Sequence, residues 1–101
     1  MRLLVQGQNV KVTTAIQAYV DQKIGKAVRN FENLMTEIDV KLSIPHRHRK
    51  LSQKLVAVTV YANGAVIRAE ERQDNLYAGI DLVADKLTRQ LQKSKDKQYH
   101  L

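Results

Sequence analysis

Asn63-Gly64 is a two-residue break between two runs of extended character, and it constrains the fold more than any other feature of the chain. On one side Val56, Val58 and Val60 recur with a period of two, and on the other Ala65 to Arg72 return in the same style. A two-residue type I′ turn requires positive φ at both central positions, a conformation that Asn and Gly adopt at the least cost. The two runs are therefore expected to pair as an antiparallel hairpin.

The same period appears twice more upstream. Ile38, Val40, Leu42 and Ile44 alternate with Asp39, Lys41 and Ser43, which predicts a half-buried strand ending at Pro45. Leu3 and Val5 alternate with Arg2, Leu4 and Gln6 in a short first strand that ends at Gly7, where Gly7-Gln8-Asn9 supplies turn chemistry. Between these strands the spacing becomes helical. Ile16, Val20, Ile24, Ala27, Val28 and Phe31 define a helix running to about Asn30, with Thr13 or Thr14 as its N-cap. Gly25 inside that helix costs ~1 kcal/mol relative to Ala. A second helix follows the hairpin, capped by Asp74, with Leu76, Ile80, Val83, Leu87 and Leu91 on one side; Tyr77, beside Ile80, is expected in the core rather than as a base-stacking platform.

The resulting order is β-α-β-β-β-α, an α+β domain with a four-stranded sheet. A strand-helix-strand opening favours a parallel first pair, and the remaining strands form an antiparallel meander. Each helix has one apolar stripe to bury, so both are expected on the same face of the sheet. With 101 residues, the chain is long enough for one compact domain spanning 1–101 and too short for two.

No Cys is present, which removes disulfides, thiolate metal sites and Cys nucleophiles. His46-x-His48 lacks a third ligand nearby, so no metal and no cofactor is expected. Asp81 and Asp85 lie one helical turn apart, and Glu70-Glu71 form another acidic pair, but no nucleophile or metal triad accompanies them. Ser43, Ser52 and Ser94 have no elbow motif around them. An enzyme acting on a small-molecule substrate is thus not expected, and Asp74, Asp81 and Asp85 are assigned to helix capping and the helix dipole. The apolar runs fall far short of the ~20 residues that span a bilayer, and the chain starts on a strand pattern rather than a signal peptide. A cytoplasmic location without membrane attachment is the expectation.

Charge then carries the functional argument. Seventeen Lys and Arg against ten Asp and Glu give a net charge of +7, the footprint of a nucleic-acid binder. On the second helix Lys86, Arg89, Lys93 and Lys97 align apart from the apolar stripe, with Lys95 beside them, although like charges at this spacing repel by ~0.2–0.5 kcal/mol per pair. Lys23, Lys26 and Arg29 step by three along the first helix. If the helices lie side by side, these eight cations are expected to form one continuous surface for a phosphate backbone. Arg47, Arg49 and Lys50, between the second and third strands, read either as an accessory RNA contact or as a solvated loop. A module docking an acidic protein, or a stand-alone double-stranded-RNA binder, would use the same face.

Gly7-Gln8-Asn9-Val10-Lys11-Val12-Thr13, Tyr61-Ala62-Asn63-Gly64, and above all Asp74-Asn75-Leu76-Tyr77-Ala78-Gly79-Ile80-Asp81 with Asp85-Lys86-Leu87-Thr88-Arg89-Gln90-Leu91 resemble the ribosome hibernation-promoting factors and ribosome-associated translation inhibitors. The resemblance runs from about residue 2 to residue 97. It implies a domain shaped like a double-stranded-RNA-binding domain, monomeric by itself. Its implied partner is the small ribosomal subunit with its rRNA, bound in the channel where mRNA and tRNA anticodon stems lie, so that translation is silenced in stress or stationary phase. By motif position, Lys23, Lys26, Lys86, Arg89, Lys93, Lys95 and Lys97 would face rRNA. The stretch from Val58 to Ala69 is similar to the N-terminal domain of long, plastid-type members, which implies a fragment of such a protein and leaves the plastid stroma as an alternative location. The Pro45–Lys50 loop is more basic than in short members.

Overall fold

Seven backbone elements follow one another in the computed structural model, which describes residues 2–44, 53–62 and 64–99, with side chains described as far as residue 94. They are β1 (Arg2–Gln8), α1 (Thr14–Val28), a 3₁₀ segment (Arg29–Leu34), β2 (Met35–Ser43), β3 (Lys54–Ala62), β4 (Ala65–Gln73) and α2 (Leu76–Tyr99). The expected β-α-β-β-β-α order and α+β class are present. The four strands lie in the order β1-β2-β3-β4, with β1 parallel to β2 and the other pairs antiparallel. Ala62 pairs with Ala65, so the hairpin turn has two central residues; Gly64 has φ of 70°, the left-handed region that its missing Cβ permits, while Asn63 lies outside the described residues.

Register explains the layering. Ile38, Val40 and Leu42 of β2 stand opposite Val60, Val58 and Val56 of β3, and Val58 stands opposite Ala69 of β4; all are buried on the helix side. Val20, Ile24 and Val28 of α1, with Ile80, Val83 and Leu87 of α2, are fully buried against them. Each such side chain contributes about 1.5–3 kcal/mol when removed from water. Gly79 lets α2 sit close to β3, since a Cβ there would meet the Val56 Cγ2 at 2.8 Å. Lys54 fastens the entry to α2 by donating to the Asp74 carbonyl at 2.8 Å.

Local details differ from the sequence expectation for identifiable reasons. Of the two expected N-caps, Thr13 is the one that caps α1, as expected, its hydroxyl accepting from the Ile16 amide at 3.1 Å. The α-helix stops at Val28, yet Phe31 stays buried because a 3₁₀ turn of three residues keeps it on the face of Val28. β2 begins at Met35 rather than Ile38, because a register shift between Met35 and Glu37 breaks the alternation; the Thr36 hydroxyl donates to the Tyr61 carbonyl at 3.2 Å. Asn75, not Asp74, caps α2: its side-chain oxygen accepts from the Tyr77 amide at 2.8 Å and its carbonyl from Gly79 at 3.0 Å. Tyr77 is not in the core but 38% exposed, as it sits one residue off the stripe that Leu76 and Ile80 bury.

Candidate nucleic-acid interface

The two helices run parallel. Tyr19 meets Tyr77, Lys23 meets Asp81, and Asn30 and Phe31 share a groove with Thr88 and Gln92. α2 is therefore a ridge with a groove on either side, one shared with α1 and the other with β4. Around the helix, at 100° per residue, the apolar stripe faces the sheet, Asp81, Asp85, Thr88 and Gln92 follow on the α1 side, and Lys86, Arg89 and Lys93 lie beyond them towards β4.

The interhelical groove is mixed in charge, lined by Lys23 and Lys26 together with Asp81 and Asp85. At its upper end the Tyr19 hydroxyl donates to Asp81 Oδ1 at 2.6 Å, and Lys23 Nζ lies 3.6 Å from the same oxygen. That ammonium is also 5.6 Å from the centre of the Tyr19 ring, within cation–π range. The hydrogen bond to the Asp81 carboxylate, followed by desolvation, raises the Tyr19 phenol above its ordinary value. Tyr77 packs edge to face on Tyr19 with ring centroids 4.9 Å apart.

The second groove is lined by Arg68, Lys86, Arg89 and Lys93, with Ala69, Glu70 and Gln90 between them. Lys86 is committed to the fold: its ammonium donates to the Glu70 carbonyl at 2.9 Å and pairs with the partly buried Glu71 carboxylate. Arg89 and Lys93 are exposed and, among the described residues, neither makes an ion pair. Unpaired cations beside a groove wall suit a phosphate backbone, because they can neutralise its phosphates and release its condensed counterions without breaking a protein contact.

Of the eight cations expected on one continuous surface, the six whose side chains are described do not share one, which corrects the expectation for them. Lys23 and Lys26 face α2 across a groove that Asp81 and Asp85 partly neutralise, while Lys86, Arg89 and Lys93 look the other way; Arg29 is exposed at the head of the 3₁₀ segment and lines neither groove. Asp81 is corrected too, since it joins the two helices rather than serving as a cap or dipole charge. Lys95 and Lys97 fall within the α2 backbone, but their side chains lie outside the described residues, as do Arg47, Arg49 and Lys50. Sequence reasoning missed Arg68, which sits on an edge strand where a long side chain lines both the α2 groove and the open face of the sheet. It also missed the Tyr19–Asp81 bond; the i, i+4, i+7, i+11 spacing of Asp81, Asp85, Thr88 and Gln92 was the readable signal for a separate polar stripe.

Comparison with known proteins places the domain. Over 99 residues, 98% of this chain, it is 50% identical to the ribosome hibernation promotion factor of Picosynechococcus, covering 51% of that protein. It is 38% identical over 96% of its length to the chloroplastic ribosome-binding factor PSRP1 of Spinacia oleracea, covering 33% of it. The chain therefore spans about half the length of one of these relatives and a third of the other. Its fold matches a ribosomal subunit interface protein from Coxiella burnetii with a TM-score of 0.82 at 27% identity, over 94% of this chain and 98% of that one. With residues 3–99 also matching the family described as Sigma 54 modulation protein / S30EA ribosomal protein, the chain belongs to that family.

Proposed function

We propose that this domain binds the small ribosomal subunit through rRNA, lodges in the decoding channel where mRNA and tRNA anticodon stems lie, and holds translation off during stress or stationary phase. The observation that carries the reading is the groove between α2 and β4, where Arg68, Arg89 and Lys93 converge and the last two are unpaired among the described residues. Relatives named for ribosome hibernation and for the ribosomal subunit interface support the choice of a ribosome over other polyanions. Phosphate contacts of this kind give affinity and orientation without reading bases, which fits a partner recognised largely by its shape.

Sedimentation of the chain with small subunits at two salt concentrations tests the electrostatic part. Affinity should fall with a log-log slope of about 0.7–0.9 per phosphate neutralised. A flat salt response would remove the mechanism. Preloading subunits with mRNA and an anticodon-stem ligand tests occlusion: competition is expected, and unaltered binding of all three together would refute the channel assignment.

A further inference from the structure

Tyr77 is a large aromatic left 38% exposed on a helix whose packing is already supplied by Leu76, Ile80 and Val83. It is also held still. Its amide is tied to the Asn75 side chain, and its ring rests at 79° against Tyr19, whose hydroxyl is in turn bonded to Asp81 across the helix interface. An edge-to-face pair leaves at least one ring face uncovered. A rigid, exposed ring face whose rotamer entropy is already spent is what a planar partner gains most from.

The groove that opens one helical turn beyond this ring, at Asp81, says which planar partner. A cleft meant for phosphate alone gains nothing from carboxylates, yet Asp81 and Asp85 line it beside Lys23 and Lys26, with Asn30 and Thr88 further along. Nucleotides match that mixture. Their exocyclic amino groups donate to carboxylates and amide oxygens, their ring nitrogens and carbonyls accept, and their phosphates take the ammonium groups. The groove between α2 and β4 has four cations and one carboxylate-bearing residue, so it suits backbone only.

We propose that Tyr77, braced by Tyr19, is a stacking platform for one unpaired nucleobase of the bound RNA, with Asp85 facing the base edge and Lys26 a flanking phosphate, while Asp81 and Lys23 hold the brace. This rests on the RNA-binding reading above. It adds a base-contacting site to a surface otherwise explained by phosphate contacts.

The chain contains no Trp, so Tyr77→Trp places a sole indole reporter at the platform. Titrated with a short unstructured RNA, its emission should be quenched on binding; inorganic polyphosphate should bind without quenching. In small-subunit binding, Tyr77→Ala should weaken affinity about tenfold while leaving the salt slope unchanged, because a base contact and not a phosphate contact is lost. Tyr77→Phe and Tyr77→Trp should stay within about twofold of the parent. Thermal melts of all three variants separate stacking from folding, and the emission of Tyr77→Trp carries the test if Tyr77→Ala unfolds. Unquenched emission in the RNA complex, equal quenching by polyphosphate, or unchanged subunit affinity for a folded Tyr77→Ala would each overturn the platform while leaving RNA binding intact. Failure of the parent chain to bind subunits or RNA at all would overturn both.

Discussion

On its α1 side, α2 presents Asp81, Asp85 and Thr88 to Lys23 and Lys26; on its β4 side it presents Arg89 and Lys93 beside Arg68, with Lys86 tied down between them. Both flanks are rich in charge, but the first is nearly balanced and internally bonded, and the second carries Arg89 and Lys93, which no carboxylate claims among the described residues. A count of Lys and Arg sees no difference between them. What separates them is the company each cation keeps, since a cation already paired must give up its partner before it gains a phosphate. The comparison teaches that the net charge of +7 overstates one face and understates the other.

The largest effect should come from alanine pairs on the two flanks. Arg89→Ala with Lys93→Ala is expected to lower the salt slope of subunit binding by about 1.4–1.8, the loss of two phosphate contacts, whereas Lys23→Ala with Lys26→Ala should lower it by less than half of that. Equal slopes would erase the distinction between the grooves. A smaller effect sharpens it within the β4 flank: Lys86→Ala should lose ~1 kcal/mol of stability in chemical denaturation, with less loss of affinity than Arg89→Ala, because Lys86 bonds β4 rather than facing solvent alone. Stability unchanged by Lys86→Ala would return that residue to the binding surface.

The smallest effect concerns the α1 flank. Tyr19 has its folded pKa raised above 10.0 by the bond to Asp81, so the stabilisation from that bond is fully present below the ordinary tyrosine value. As pH climbs past that value, the unfolded chain releases its proton first, and the advantage disappears once the folded Tyr19 ionises as well. Tyr19→Phe should accordingly melt below the parent at neutral pH and converge with it in alkaline buffer. A melting difference that is constant with pH would mean that the phenol contributes through packing alone.

Much of the architecture was legible because burial imposes a period. Val56, Val58 and Val60, Ile38, Val40 and Leu42, and Leu76 to Leu91 all face the core as their spacing requires, and the Asn63-Gly64 turn pairs Ala62 with Ala65. Where the period bends, the reading slipped. The irregularity beside Thr36 hid the first turn of β2, and the change from α to 3₁₀ after Val28 kept Phe31 in phase while the helix type altered. The site was legible by helix and illegible by flank. Angles along α2 correctly separate Lys86, Arg89 and Lys93 from the apolar stripe, but only the placement of α1 decides that Asp81 and Asp85, and not those cations, meet Lys23 and Lys26. Tyr77 was misplaced for the same reason, since a residue beside the stripe becomes core or seam according to how far away the neighbouring helix lies.

β1 contributes only the half-buried Leu3 and Val5 to the core, whereas β2 contributes the fully buried Ile38, Val40 and Leu42 among others. It is also the one strand that joins its neighbour through a helix rather than a hairpin or meander, pairing in parallel across a long stretch of sequence. Partial unfolding should therefore begin there, with β1 peeling from β2 while the β2–β3–β4 meander and α2 stay assembled. Such an opening would loosen α1, which β1 tethers, and with it the wall that carries Lys23 and Tyr19. The flank facing β4 would survive intact, so a form opened in this way would keep one groove and lose the other.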